Sequence, residues 1–310
     1  MGFNRPNFIR DRLIELEGLK MKDLSIYLSV DGPRDGIPQD ILAIDEIKTI
    51  YRESLIARAV HPWFSPVNRG CDGHIFNSID RVLQENDCLL VIEDDVSISP
   101  IAIVDMLSQA AICLERGMIN PIVAVSGFAR KFVLTRNRWR LSKYFCAWGF
   151  VLNKEFWQIH KATLKLQDPV VLEELFSNSH TWHSMSKRKR SIWAERICRS
   201  NYDYLIQRTL FLKGLHTIAP IFRISDNLGH GSTGAVHTRF KTPFFLRFLV
   251  FGKNTIFRNE IVSGKKINWL LAWLDSQTWA GDGLLSVRGR NRGIRSSLRK
   301  TIESLGYERY

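Results

Sequence analysis

Cys88-Leu89-Leu90-Val91-Ile92-Glu93-Asp94-Asp95 is the stretch on which the reading of this chain turns. Five consecutive apolar residues after a polar segment predict a buried strand of a parallel sheet. Three carboxylates then stand where that strand leaves the core, and there they need compensation. In open α/β sheets ligands bind beyond the carboxyl ends of strands. A divalent cation shared with a diphosphate accounts for the charge, because hard cations take carboxylate and phosphate oxygens together. A solvated acidic turn is the alternative reading of the same three residues.

Working outward, strand-like and helical patterns alternate. Leu24–Val30 predicts a strand closed by the turn Asp31-Gly32-Pro33-Arg34. Ile41, Ile44, Ile47, Ile50 and Tyr51 share one face of a helix over Pro38–Leu55. A Pro- and Gly-bearing loop is expected over His61–Gly73, then a helix from about His74 to Gln84. Ser99-Pro100 opens another helix to about Glu115, and Pro121–Ser126 reads as a short strand. Phe145–Leu152 is a strand-like aromatic segment, and Asn153 caps a short helix. Ser191 to about Leu212 is expected to be helical, Leu215–Ala219 a strand, and Asp226–Gly234 a glycine-rich loop. This alternation predicts an α/β fold with a mainly parallel sheet flanked by helices.

The chain has 310 residues, 45% of them hydrophobic, enough for one large core domain with an appendage. Its five cysteines form no Cys-x-x-Cys pair, and the amino terminus lacks the apolar run of a signal peptide. Both features point to a cytoplasmic protein. Net charge is +13, and residues 239–310 carry fourteen Lys and Arg against five Asp and Glu. That region interleaves basic residues with apolar aromatic runs such as Pro243–Phe251 and Ile267–Leu274, a pattern suited to an anionic membrane surface. A nucleic-acid partner is disfavoured, because no binding motif accompanies the charge. The division expected is an α/β domain over 1–238 and a basic, aromatic-rich region over 239–310.

Several ordered pieces together resemble the GT-A nucleotide-sugar glycosyltransferases, in the branch of N-acetylglucosaminyltransferase I and its bacterial sugar-transferase relatives. They are Asn4-Arg5-Pro6, Ser29-Val30-Asp31-Gly32-Pro33, Asn68-Arg69-Gly70, Glu93-Asp94-Asp95, Trp148-Gly149-Phe150, Ser191–Arg196 with Tyr202-Asp203-Tyr204, and Asn227-Leu228-Gly229. The resemblance spans roughly residues 3–240. It implies a Rossmann-like fold and metal-dependent, inverting transfer from a UDP-linked donor, UDP-GlcNAc among them. The implied acceptor is a surface glycan or glycolipid, reached at the inner face of the plasma membrane. A sugar nucleotidyltransferase of the same fold, or an inactive glycosyltransferase-like binding protein, remains open as an alternative.

The roles follow from the resemblance. Asp95 is the expected ligand of Mn²⁺ or Mg²⁺, with Glu93 and Asp94 near the nucleotide ribose and the donor sugar. Asn4 and Arg5 fall in the loop after the first strand, on the nucleotide side. Asp31 is the expected partner of the uracil ring, or else a turn-stabilising Asp. Arg69 faces the nucleotide or is a surface residue. Trp148 and Gly149 line the sugar pocket, unless Trp148 is core. Asp203 is the expected general base, with Glu195 as its substitute. His237, in His230-Gly231-Ser232-Thr233-Gly234-Ala235-Val236-His237, is placed to meet the diphosphate. One departure stands out: the family's first strand belongs before Asn4, where only three residues stand. The expectation is a start placed too late or a truncated, inactive copy.

Overall fold

A computed structural model describes residues 1–19, 24–124, 138–165, 176–177, 179–183, 187, 190, 201–220, 224–229 and 258–262. In chain order the elements are α1 (Pro6–Glu17), β1 (Ile26–Val30), α2 (Pro38–Glu53), β2 (Val60–Phe64), α3 (Gly70–Glu85), β3 (Cys88–Val91), β4 (Val96–Ile98) and α4 (Pro100–Glu115). There follow β5 (Ile122–Val123), β6 (Arg138–Ser142), β7 (Phe150–Asn153), α5 (Lys154–Leu164), α6 (His180–His183), α7 (Tyr202–Leu212), β8 (Thr217–Pro220), β9 (Ser225–Asn227) and β10 (Arg258–Val262). The protein is a mixed α/β structure.

Two helices, α4 and α5, begin at side-chain caps supplied by the sequence. Ser99 Oγ accepts the Ala102 N–H at 3.3 Å ahead of a proline in the first turn of α4. Asn153 Oδ1 accepts the Phe156 N–H at 2.7 Å and starts α5. In α3 the four-residue spacing of Ile75, Ile79 and Leu83 gives one buried stripe. Full burial of each such side chain contributes about 1.5–3 kcal/mol.

Six strands form one sheet in the order β10-β6-β8-β5-β7-β3. Pairings β10/β6 and β5/β8 are parallel; β6/β8, β5/β7 and β3/β7 are antiparallel. Two further pairs stand outside it, β1 parallel to β2 and β4 antiparallel to β9. Alternation along β7 sends Phe150 and Leu152 to one face, against α3, α5 and α7. Val151 points to the other face, against Ile103 and Met106 of α4. A third core joins α1, β1 and α2 through Ile9, Leu13, Val30, Ile44 and Ile47.

Four expectations need correction. Strand β3 is not a buried parallel strand: it pairs antiparallel with β7, and Cys88, Leu89 and Leu90 are only half-buried. Apolar runs reveal burial but not the direction of a neighbour, and β7 reaches β3 from sixty residues away. The loop expected over His61–Gly73 contains β2 and the start of α3, because parallel pairing with β1 carries Pro62 despite its missing N–H. In the aromatic segment the strand starts only at Phe150, since Gly149 breaks the extended path at φ +87°. Asp226 and Asn227, expected in a glycine-rich loop, instead form a strand with Ser225.

The amino terminus also takes a defined place. Gly2 forms a parallel bridge with Val30, its N–H donating to Ser29 O at 2.9 Å and its carbonyl accepting the Asp31 N–H at 3.0 Å. Of residues 239–310 only β10 is described, and its backbone lies on the open edge of β6. No helix among the described residues is long and apolar enough to cross a membrane. Cys71, Cys88, Cys113 and Cys146 are free thiols.

Candidate functional site

Chain reversal after β3 brings the three carboxylates together. Val96 N–H donates to Glu93 O at 3.0 Å, closing a tight turn that leads into β4. Leu228 N–H donates to Asp95 O at 2.7 Å, so the end of β9 lies directly against the turn. The close approach needs glycine at 229, because a Cβ there would overlap the Asp95 carboxylate.

Arg5, at the entrance of α1, is the principal counter-charge. Its Nε donates to Asp94 Oδ2 at 3.1 Å, Nη2 donates to Asp94 Oδ1, and Nη1 donates to Asp95 Oδ2 at 2.9 Å. This is the fork geometry that guanidinium offers and ammonium cannot. Burial works against the Arg5 charge, yet Asp94 and Asp95 outweigh it and hold its pKa above the ordinary value. Asp94 is 2% exposed, and burial raises its pKa even though Arg5 pulls the other way. A second cation stands close by: the Met1 ammonium donates to Ile92 O at 2.7 Å, and burial lowers its pKa against the pull of the carboxylates.

Glu93 turns away from Arg5 and accepts a hydrogen bond from the Tyr202 phenol. Burial, reinforced by Asp95 and Asp94, pushes the Glu93 carboxyl up to about 7, while the Tyr202 bond opposes the rise. The phenol is raised well above its usual range by burial and by Glu93. Tyr202 is fixed in turn by its backbone N–H, which donates to Asp72 Oδ1 at 2.8 Å and ties the start of α7 to α3.

Asp95 Oδ1 is buried and has no hydrogen-bond partner. A buried carboxylate oxygen without a partner is costly, and a hard cation would satisfy it. Among the described residues no group of three or more His, Cys, Asp or Glu is arranged to hold a metal ion.

No protein-family model and no curated protein matches this chain.

Asp203 follows Tyr202 in the first turn of α7; its Oδ1 accepts the Tyr204 N–H at 2.9 Å, and its charge is felt by the Tyr202 phenol. It therefore borders the site. Trp148 packs between two cores while its carbonyl accepts from Ser225 Oγ at 2.7 Å. Gly149 beside it has no room for a Cβ, which would overlap Ile98. Asp31 is 4% exposed and its oxygens accept the Gly32 N–H at 2.9 Å and the Arg69 N–H at 3.0 Å. It thus braces the loop that carries the exposed Arg69. Asn4 points elsewhere, its Nδ2 donating to Asp40 Oδ1 at 2.7 Å on α2. Glu195 and His237 lie outside the described residues.

Tyr202 and the Met1 ammonium are the partners that sequence reading missed. The only available signal for Tyr202 was its place next to Asp203. Nothing in the sequence marks a terminal amine as a counter-charge.

Proposed function

We propose that this chain is a metal-dependent, inverting glycosyltransferase of the GT-A type, moving a sugar from a UDP-linked donor to a glycan or glycolipid acceptor. The supporting observation is Asp95 Oδ1, an orphaned carboxylate oxygen at the carboxyl end of β3. Asp95 would hold Mn²⁺ or Mg²⁺, and the bound cation would offset the charge developing on the leaving diphosphate. Arg5 pairs with Asp94 and Asp95 and fixes both carboxylates in place. Burial pushes the Glu93 carboxyl up to about 7 and the Tyr202 phenol fixes it, an arrangement suited to hydrogen-bonding a ribose or sugar hydroxyl. Asp203 would take the proton from the acceptor hydroxyl on one of its carboxylate oxygens. The basic region 239–310 would bring the acceptor side to an anionic membrane, and β10 ties that region to the sheet.

The test is a screen of UDP-, GDP- and CMP-sugars with Mn²⁺, scored for donor hydrolysis and transfer. Asp95→Asn should abolish Mn²⁺-dependent turnover. Asp203→Asn should reduce transfer by about 10²–10⁴-fold while donor binding persists. Undiminished transfer in Asp203→Asn would instead favour a nucleotidyltransferase, which needs no acceptor-side base. Absence of turnover with every donor would defeat the enzymatic reading.

A further inference from the structure

The first turn of α7 has no side-chain cap of its own. Asn201, at the N-cap position, makes no side-chain hydrogen bond to that turn, so other elements set where the helix starts. Tyr202 is the residue they hold. Its backbone N–H donates to Asp72 Oδ1 on α3 at 2.8 Å, and its phenol donates to Glu93 in the turn after β3. Its ring centroid lies 6.2 Å from that of Phe150 on β7. Three contacts from three elements thus fix one residue.

The two ends of the proposed reaction lie on either side of it. Asp203 follows directly, with its Cα about 3.8 Å from that of Tyr202. Its side chain is constrained as well, because Oδ1 accepts the Tyr204 N–H at 2.9 Å. On the other side, Asp95 belongs to the same tight turn as Glu93, which the Val96 N–H closes on Glu93 O at 3.0 Å. The Tyr202–Glu93 bond therefore spans from the acidic turn to the start of α7. In an inverting displacement the base and the leaving group stand on opposite sides of the reacting carbon, so the distance between them has to be held.

We infer that Tyr202, anchored by Asp72, is the positioning residue that sets the separation between Asp95 at the cation end and Asp203 at the acceptor end. Both residues act through the placement of α7 and not on the reacting atoms. Asp72 serves as a hydrogen-bond acceptor, not as a charge. The inference rests on the proposed transfer reaction and adds to it a residue of α3.

Hydrolysis of UDP-GlcNAc with Mn²⁺, in which water stands in for the acceptor, tests it on the full chain. Asp72→Ala leaves the Tyr202 N–H without its partner. It should lower kcat by about ten-fold or more, since a misplacement of about 1 Å can cost about 10²-fold. The donor KM should stay within about two-fold of the parent value, because the donor's own contacts remain. Asp72→Asn keeps the acceptor oxygen and should recover kcat to within about three-fold. Tyr202→Phe keeps the ring beside Phe150 and loses the Glu93 bond. Combined with Asp72→Ala it should cost little more than the larger single loss, because both changes release the same residue. Parent kcat in Asp72→Ala, losses that multiply in the double variant, or no recovery in Asp72→Asn would each overturn the inference. Should Asp72→Ala fail to fold, Tyr202→Phe decides, and a kcat equal to the parent's overturns it.

A parent chain inert towards UDP-GlcNAc tells against the proposed activity and leaves the brace to hydrogen exchange. The Tyr204 and Leu205 amides, bonded to Asp203 Oδ1 and Asn201 O, should then exchange about ten-fold faster in Asp72→Ala. Those of Lys213 and Gly214, at the far end of α7, should not change. Equal exchange at Tyr204 and Leu205 in the two chains overturns the inference.

Discussion

Arg5→Met isolates the charge compensation at the acidic turn, because methionine keeps much of the stem and removes the guanidinium. Three N–H···O bonds are lost, two of them on Asp94, which is 2% exposed. Removing one partner of a buried ion pair costs about 3–5 kcal/mol. The Arg5 side chain is 25% exposed, so water reaches part of the vacated space and the expected loss falls to about 2–4 kcal/mol. For a chain of this size that corresponds to a drop in Tm of roughly 3–6 °C. Thermal unfolding at pH 7.5, followed by circular dichroism, reads the change. Mn²⁺ should then restore more of the lost Tm in Arg5→Met than it adds to the parent chain, because a cation at Asp95 replaces the missing charge. A concentration of 100 times Kd would contribute about 2.7 kcal/mol. A Tm within about 1 °C of the parent would refute the compensation argument. An identical Mn²⁺ shift in both chains would refute the placement of the cation beside Arg5.

Two further outcomes concern the frame around the site. His160 is 2% exposed, with Nδ1 bonded to Thr209 Oγ1 at 2.8 Å, and burial together with Arg208 lowers its pKa to about 3. The unfolded chain takes up a proton near pH 6.5 while the folded chain does not, so stability falls as pH drops through the window from 6.5 to 3. The His160 contribution lost between pH 7.5 and 5 is about 2 kcal/mol, and His160→Gln should lack it in urea melts at the two pH values. Gly149→Ala combines a left-handed φ of +87° with overlap on Ile98, for an expected cost of about 2–4 kcal/mol. Adding Ile98→Ala should recover the packing share only, which chemical denaturation of the single and double variants will resolve.

Local signals were legible without the fold. The stripe of α2 and the Ser99 and Asn153 caps are set within a few residues, by periodicity and capping oxygens. The concentration of acid at Glu93-Asp94-Asp95, after an apolar run, was equally visible. The role of Arg5 was not. It stands 90 residues from Asp95 in sequence, and a basic residue beside a proline reads the same whether it meets phosphate or carboxylate.

By itself, then, the sequence determined several of the helices and strands and the acidic groups that stand at the end of β3. Those features depend on interactions reaching a few residues along the chain. Tertiary structure alone decided that β7 runs antiparallel beside β3 and that Arg5 and Tyr202 divide the three carboxylates between them. Strand direction and charge pairing are properties of neighbours brought together through space, and no local pattern encodes them.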